Sequence, residues 1–221
     1  MSATDKSAQA KPTALQNGLI LAAVAAVCTT LVALTFNVTR ARIAANEQAY
    51  LEQSLAPVLA GVSFDNDIKE SALILSPPHV LPGNEAAVIY PLLEGSKPVA
   101  ALFVVTADDG FAGPIKLLIG VDMEGVVTGV RVLEHNETPG IGDGIDVDRS
   151  DWIENFAGKS LESPDRAMWS IKRDGGAFDQ VTGASVTSRA VVKAVGLTLS
   201  YFEVNRNEVF AASTVAGVND E

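Results

Sequence analysis

The sequence predicts an α+β protein: a single N-terminal transmembrane helix followed by a domain that mixes helices with an antiparallel sheet. Three observations predict it. The uncharged run NGLILAAVAAVCTTLVALTF, Asn17 to Phe36, is about the 20 residues that cross bilayer hydrocarbon as a helix. Four strand-like runs follow between Ala86 and Leu133, several of them alternating in polarity. An apolar-periodic segment from Val186 to Val204 then predicts a closing helix, with Val191, Val192, Val195, Leu199 and Phe202 facing the core.

The first element is read as an uncleaved anchor over residues 17–37, preceded by a tail of residues 1–16. The run exceeds the roughly 7–15 residues of a signal-peptide core, and Asn37-Val-Thr-Arg-Ala-Arg42 offers no small-residue cleavage site. Lys6 and Lys11, partly offset by Asp5, precede the run and Arg40 and Arg42 follow it. The positive-inside comparison is therefore close to balanced, and charge leaves the orientation open. The chain is 48% hydrophobic and 19% charged, with a formal net charge of −11. From Ile43 onward 12 Lys and Arg stand against 26 Asp and Glu. No basic stripe of the kind that binds phosphate backbones is present, which argues against nucleic acid as a partner. Cys28, the single cysteine, lies inside the apolar run; it forms no intrachain disulfide and reads as a small lipid- or helix-facing residue.

Residues 38–84 read as an amphipathic stalk and linker. Ile43, Tyr50, Leu51, Leu55 and Leu59 recur at helical spacing, Pro57 and Gly61 should end the helix, and Pro77, Pro78 and Pro82 mark a loop. A domain over 85–208 should then contain strands at Ala86–Leu93, Val99–Thr106, Ile115–Asp122 and Val126–Leu133. Ile115, Leu117, Ile119 and Val121 share one face of the third, and Val126, Thr128, Val130 and Val132 one face of the fourth. Asp122-Met-Glu-Gly125 joins these two as a hairpin, so an antiparallel meander is the simplest topology. Asp151–Phe156 reads as a short helix with Trp152 and Phe156 in the core. Residues 209–221 read as a flexible C-terminal tail.

Two stretches point to chemistry. The loop His135-Asn-Glu137-Thr138-Pro139-Gly140-Ile141-Gly142-Asp143-Gly144 combines glycines and a proline into a fixed backbone path able to lie against a planar or anionic ligand. Asp179-Gln-Val-Thr182-Gly183-Ala184-Ser185-Val-Thr187 opens the last helix, and free N–H groups there favour an anion. Taken alone, helix capping is the commoner role for Thr182, Ser185 and Thr187. A hydrolase built on Ser185 and His135 lacks a nucleophile elbow, and no C-x-x-C, H-x-x-x-H or calcium-loop spacing occurs. On the residues alone, a phosphate cradle without the P-loop lysine pattern remains open at Thr182-Gly183-Ala184-Ser185, as in an anchored module that binds a phosphorylated ligand.

The run D-x-x-T-G-A-S-x-T resembles the flavinylation motif of the FMN-binding domain family, and Glu137-Thr-Pro-Gly-Ile-Gly142 is similar to that family's loop beside the flavin ring. With one N-terminal membrane helix, the combination resembles the G subunits of Rnf-type ion-translocating electron-transport complexes, with the C subunits of sodium-translocating NADH:quinone oxidoreductases as close relatives. The resemblance implies FMN joined covalently to Ser185 through a phosphoester, installed from FAD by a separate flavin transferase. Thr182, Gly183, Ala184 and Thr187 would surround the attachment, and Glu137, Thr138, Gly140 and Ile141 would line the ring. Lys172, or its neighbour Arg173, would meet the flavin's polar edge, although Lys172–Gly176 also reads as a solvated glycine-rich turn. The attachment residue in the family is usually Thr; Ser185 is an equivalent alcohol without the methyl, and Thr187 is the second acceptor. The resemblance further implies a bacterial inner-membrane protein with its flavin domain on the periplasmic side and the tail of residues 1–16 in the cytoplasm. Such a protein relays electrons between the other membrane subunits of the complex and has no substrate of its own.

Overall fold

The computed structural model describes residues 14–68 and 70–216. Residues 1–13 of the expected N-terminal tail and 217–221 of the expected C-terminal tail lie outside them. Helix α1 runs Ala14–Val58, and the chain divides into two compact units between Ala49 and Tyr50.

The first unit is helical, and its stretch Leu15–Arg40 is long and apolar enough to cross a membrane, with none of that stretch buried in the structure. At about 1.5 Å per residue, 26 residues exceed the roughly 30 Å of a hydrocarbon core. Three of its hydroxyls are satisfied within the helix: Thr30, Thr35 and Thr39 donate to the carbonyls of Ala26, Leu31 and Thr35 at 2.7–2.8 Å. A hydroxyl paired this way costs little in lipid.

The second unit is built on a five-stranded antiparallel meander in chain order: β1 (Leu73–Leu75), β2 (Ala87–Glu94), β3 (Lys97–Ala107), β4 (Ile115–Asp122) and β5 (Val127–Glu134). The four expected strands are present within one or two residues of their predicted bounds. The β4–β5 hairpin is the expected one, with Asp122 Oδ1 accepting from the Glu124 and Val126 N–H groups at 3.0 and 2.8 Å. β1 was not expected; three residues with only Ile74 pointing out carry too little pattern.

Two layers cover the sheet. On one face, Phe103, Leu117, Ile119 and Val130 pack against helix α2 (Ser185–Ala216), through Val191, Val195, Leu199 and Phe202, and against the 3-10 turn Trp152–Phe156. On the other, Leu92, Ala100, Leu102 and Leu118 meet Val58, Leu59, Val62, Phe64 and Ile68. Antiparallel sheets often leave one face wet; here both are covered, which is why β3 is buried at eight consecutive positions. The domain thus takes in chain from 50 to 75 that reads as stalk and linker, because those residues supply the second layer. It also extends past 208: Val209 and Phe210 are buried in the first layer on the continuing α2 helix.

In β5 the face alternation departs from the sequence reading. Gly120 pairs with Gly129 and Val121 with Val127, so Thr128 is the extra residue of a bulge. Val127 takes the core face with Val130 and Val132, and Val126 and Thr128 do not share it. The paired Gly120 and Gly129 form a notch that seats Val58. A Cβ on Gly129 would lie 2.9 Å from Val58 Cα, and one on Gly120 would lie 2.7 Å from Val58 Cγ1. We expect Gly129→Val to lower domain stability by about 1–3 kcal/mol through overpacking, read as a lower denaturant midpoint; an unchanged midpoint would refute the seating.

Candidate functional site

Beyond the sheet edge three segments converge on a cavity of about 400 Å³: Phe111 from the β3–β4 connection, Glu137, Thr138, Ile141 and Gly142 from the loop after β5, and Gly183–Thr187 from the start of α2, with Arg173 at the mouth. Phe111 and Ile141 are 70% and 52% exposed. Large apolar side chains standing open around one cavity suit a flat apolar ligand.

Glu137 holds the walls together. It is 4% exposed, its Oε2 accepts the Thr187 hydroxyl at 2.8 Å, and its Oε1 accepts the Ala112 N–H at 3.2 Å. One carboxyl thus ties the post-β5 loop to both other segments. The glycines around it leave it room: a Cβ on Gly142 would lie 2.8 Å from Oε2, and one on Gly110 would lie 2.9 Å from Oε1. His135 fixes the backbone of the same residue. The Glu137 N–H donates to His135 Nδ1 at 3.0 Å, so the neutral ring carries its proton on Nε2, which donates to Asp146 Oδ2 at 2.9 Å. With both ring nitrogens engaged, His135 is a loop anchor and no base for Ser185. The loop then turns at Gly140, where φ is +77°, as the Ile141 and Gly142 N–H groups return to the Thr138 carbonyl at 3.1 and 2.9 Å.

The entry to α2 is equally fixed. Gly183 adopts φ +82°, a conformation that favours glycine. Space does not demand glycine there, since a Cβ would meet only Ile141 Cγ2, at an ordinary 3.5 Å; the backbone conformation does. Ser188, fully buried, accepts the Val181 N–H at 3.0 Å and donates to the Ala184 carbonyl at 2.9 Å. This residue, not Thr182, bonds the turn to the helix. Upstream, the Trp152 indole donates to the Asp179 carbonyl at 2.6 Å. Trp152, Phe156, Phe178 and Trp169 form a ring cluster, so the expected core role of Trp152 and Phe156 holds. The first-turn N–H groups of α2 lack intrahelical acceptors by helix geometry and open on the cavity.

Of the expected site residues, the structure brings Glu137, Thr138, Ile141, Gly183, Ala184, Ser185 and Thr187 to the cavity. Gly140 and Thr182 line an adjoining groove with Gly144, Arg149 and Gln180. Lys172 stands apart, its ammonium 2.7 Å from Asp179 Oδ2. Its neighbour Arg173 is the cation at the mouth, donating to Ser185 Oγ at 3.5 Å. Asp174 beside it is bonded to Arg189 instead: that bidentate bond, at 2.6 and 3.0 Å, is the main cause holding the carboxyl below its usual range, with the Arg173 charge a smaller one. Sequence reasoning missed Phe111 and Ser188. Phe111 had a signal, an aromatic residue isolated between Gly110 and Gly113-Pro114; Ser188 had none.

The two candidate acceptors differ sharply. Thr187 is 1% exposed with its hydroxyl bonded to Glu137, whereas Ser185 is half-buried and its hydroxyl faces the cavity mouth beside Arg173. An apolar wall, a reachable alcohol, an arginine and a helix N-terminus in one cavity fit the two ends of FMN, ring and phosphate. No group of three or more metal-binding side chains occurs among the described residues.

The residues lining the cavity lie between Phe111 and Thr187, within a segment that a known family matches. The FMN-binding domain family matches residues 110–200, and the RnfG N-terminal region matches residues 1–58. The chain is 38% identical over 198 residues to the G subunit of the ion-translocating oxidoreductase complex of Pseudoalteromonas atlantica, covering 90% of this chain and 92% of that one. It is 40% identical to the protein of the same name from Pseudomonas aeruginosa, covering 92% and 95%, and 42% identical to that of Cronobacter sakazakii, covering 81% and 86%.

Proposed function

This chain belongs to the family of G subunits of ion-translocating oxidoreductase complexes, and we propose that it relays electrons through FMN esterified to Ser185. It is an FMN-binding flavoprotein subunit of such a complex, with one N-terminal helix that fits a membrane anchor. When bound, FMN supplies one- and two-electron redox chemistry; the chain's residues supply its place. Phe111 and Ile141 flank the ring, Thr138 and Glu137 close the floor, and Ser185 fixes the phosphate end at the first turn of α2. A tether at that end leaves the ring free to meet donor and acceptor.

The observation that carries the attachment reading is the contrast between two hydroxyls of one cavity: Ser185 is half-buried beside Arg173, while Thr187 is 1% exposed and bonded to Glu137. In the attachment step Ser185 Oγ bonds to the FMN phosphorus of FAD, the pyrophosphate bond breaks, AMP leaves, and the hydroxyl proton is released. A flavin transferase is the partner for that step. One membrane helix cannot enclose an ion path, so translocation belongs to the other membrane subunits. The flavin domain is assigned to the periplasmic side of a bacterial inner membrane by family likeness.

Two readouts test the proposal. Chain co-expressed with a flavin transferase should keep a fluorescent band on a denaturing gel, and the peptide containing Ser185 should carry the mass of an FMN phosphoester; an unmodified peptide sinks the covalent reading. A reporter active only outside the cytoplasm, fused after residue 221, should be active; silence, with the reporter active when fused to the tail preceding α1, would reverse the orientation.

A further inference from the structure

We propose that Arg173 is the phosphate clamp of this site, its guanidinium holding the anionic phosphate of FMN at Ser185 and making no contact with the flavin ring. The inference rests on the reading of Ser185 as the attachment point. Arg173 Nη1 lies 3.5 Å from Ser185 Oγ, so a phosphorus bonded to that oxygen brings its two unesterified oxygens within reach of the guanidinium fork. That fork matches a phosphate in a way a lysine ammonium does not.

The charge at this position is available. The neighbouring cations are engaged: Lys172 on Asp179, Arg189 on Asp174, and Lys193 on Asp109. Among the described residues Arg173 has no carboxylate in ion-pair contact, although the domain carries a large excess of acid. An arginine whose nearest acidic neighbour, Asp174, is bonded to Arg189 and reaches it only through space, at the mouth of a cavity and beside a hydroxyl, has a place for an anion. Polarity within the cavity agrees. Phe111 and Ile141 make an apolar wall for the ring, and both oxygens of the Glu137 carboxyl are turned to Thr187 and Ala112. Ser185, the Arg173 partner, is itself the first residue of α2, where the helix dipole favours an anion.

The test compares two flavins that share a ring and differ only in the phosphate. Full-length Ser185→Ala chain, purified in detergent from cells without a flavin transferase, is titrated with FMN and with riboflavin, following flavin fluorescence. FMN should bind more tightly than riboflavin. Adding Arg173→Ala should weaken FMN about tenfold, the size of one partly exposed charged hydrogen-bond pair, and leave riboflavin unchanged; Arg173→Lys should fall between. Equal weakening of both flavins would place Arg173 on the ring, and unaltered FMN affinity would remove it from the site; either overturns the clamp. Riboflavin and FMN bound equally by the Ser185→Ala parent would overturn it as well. A parent that binds neither flavin would overturn the flavin reading of the cavity itself, and the clamp with it.

Discussion

Ser185→Ala should carry no covalent flavin at all after co-expression with a flavin transferase, and Thr187 should not take over. The argument is geometric. A phosphoryl acceptor must reach the phosphorus of FAD with its oxygen exposed, and Thr187 is 1% exposed with its hydrogen committed to Glu137 Oε2 at 2.8 Å. Freeing it would leave a buried carboxyl oxygen short of a partner, a loss of about 1–3 kcal/mol. Ser185 has no such commitment; its neighbour is the Arg173 guanidinium. Ser185→Thr should remain fully labelled, since the added methyl restricts the rotamer without removing the alcohol. Thr187→Val should remain labelled at Ser185, with a loss of stability. Peptide mass mapping of the three variants decides it, and flavin on the Thr187 position of the Ser185→Ala chain would disprove the assignment.

The second large effect is expected at Glu137. Glu137→Ala removes the side chain that joins three segments, leaving the Thr187 hydroxyl and the Ala112 N–H without their acceptor. Unsatisfied buried groups cost about 1–3 kcal/mol, and a loss of about 2–4 kcal/mol is expected once the lost packing is included. Glu137→Gln keeps the shape and one acceptor oxygen, so its loss should be less than half as large. Urea unfolding of the flavin-free chain measures both. Equal losses would mean that the carboxyl acts through its charge alone and not as a clamp. In labelled protein the alanine variant should also release the ring from the Phe111 and Ile141 walls, raising flavin fluorescence.

How much of this was legible beforehand varies with how local the cause is. The anchor, the four longer strands and the β4–β5 hairpin depend on runs of their own residues and could be read directly. The second layer on the sheet could not. Val58 is buried because Gly120 and Gly129, more than sixty residues later, pair across two strands to make room for it, and no window of sequence contains both partners. The bulge at Thr128 inverted one face assignment for a similar reason, since register is a property of the pair and not of either strand. Within the site, the two glycine-rich stretches announced themselves by composition. Lys172 and Arg173, adjacent in sequence, were not separable until the fold sent one to Asp179 and the other to Ser185.

The double hydrogen bond of Ser188, from the Val181 N–H and to the Ala184 carbonyl, has a consequence for the order of events in maturation. It fixes the backbone turn from which Ser185 projects, so an enzyme acting at Ser185, as proposed above, would meet a finished surface and not a pliable peptide. On that proposal flavin loading would follow folding, and a chain that has failed to fold would present no substrate. A covalent label at Ser185 would then double as a certificate that the domain around it was built correctly.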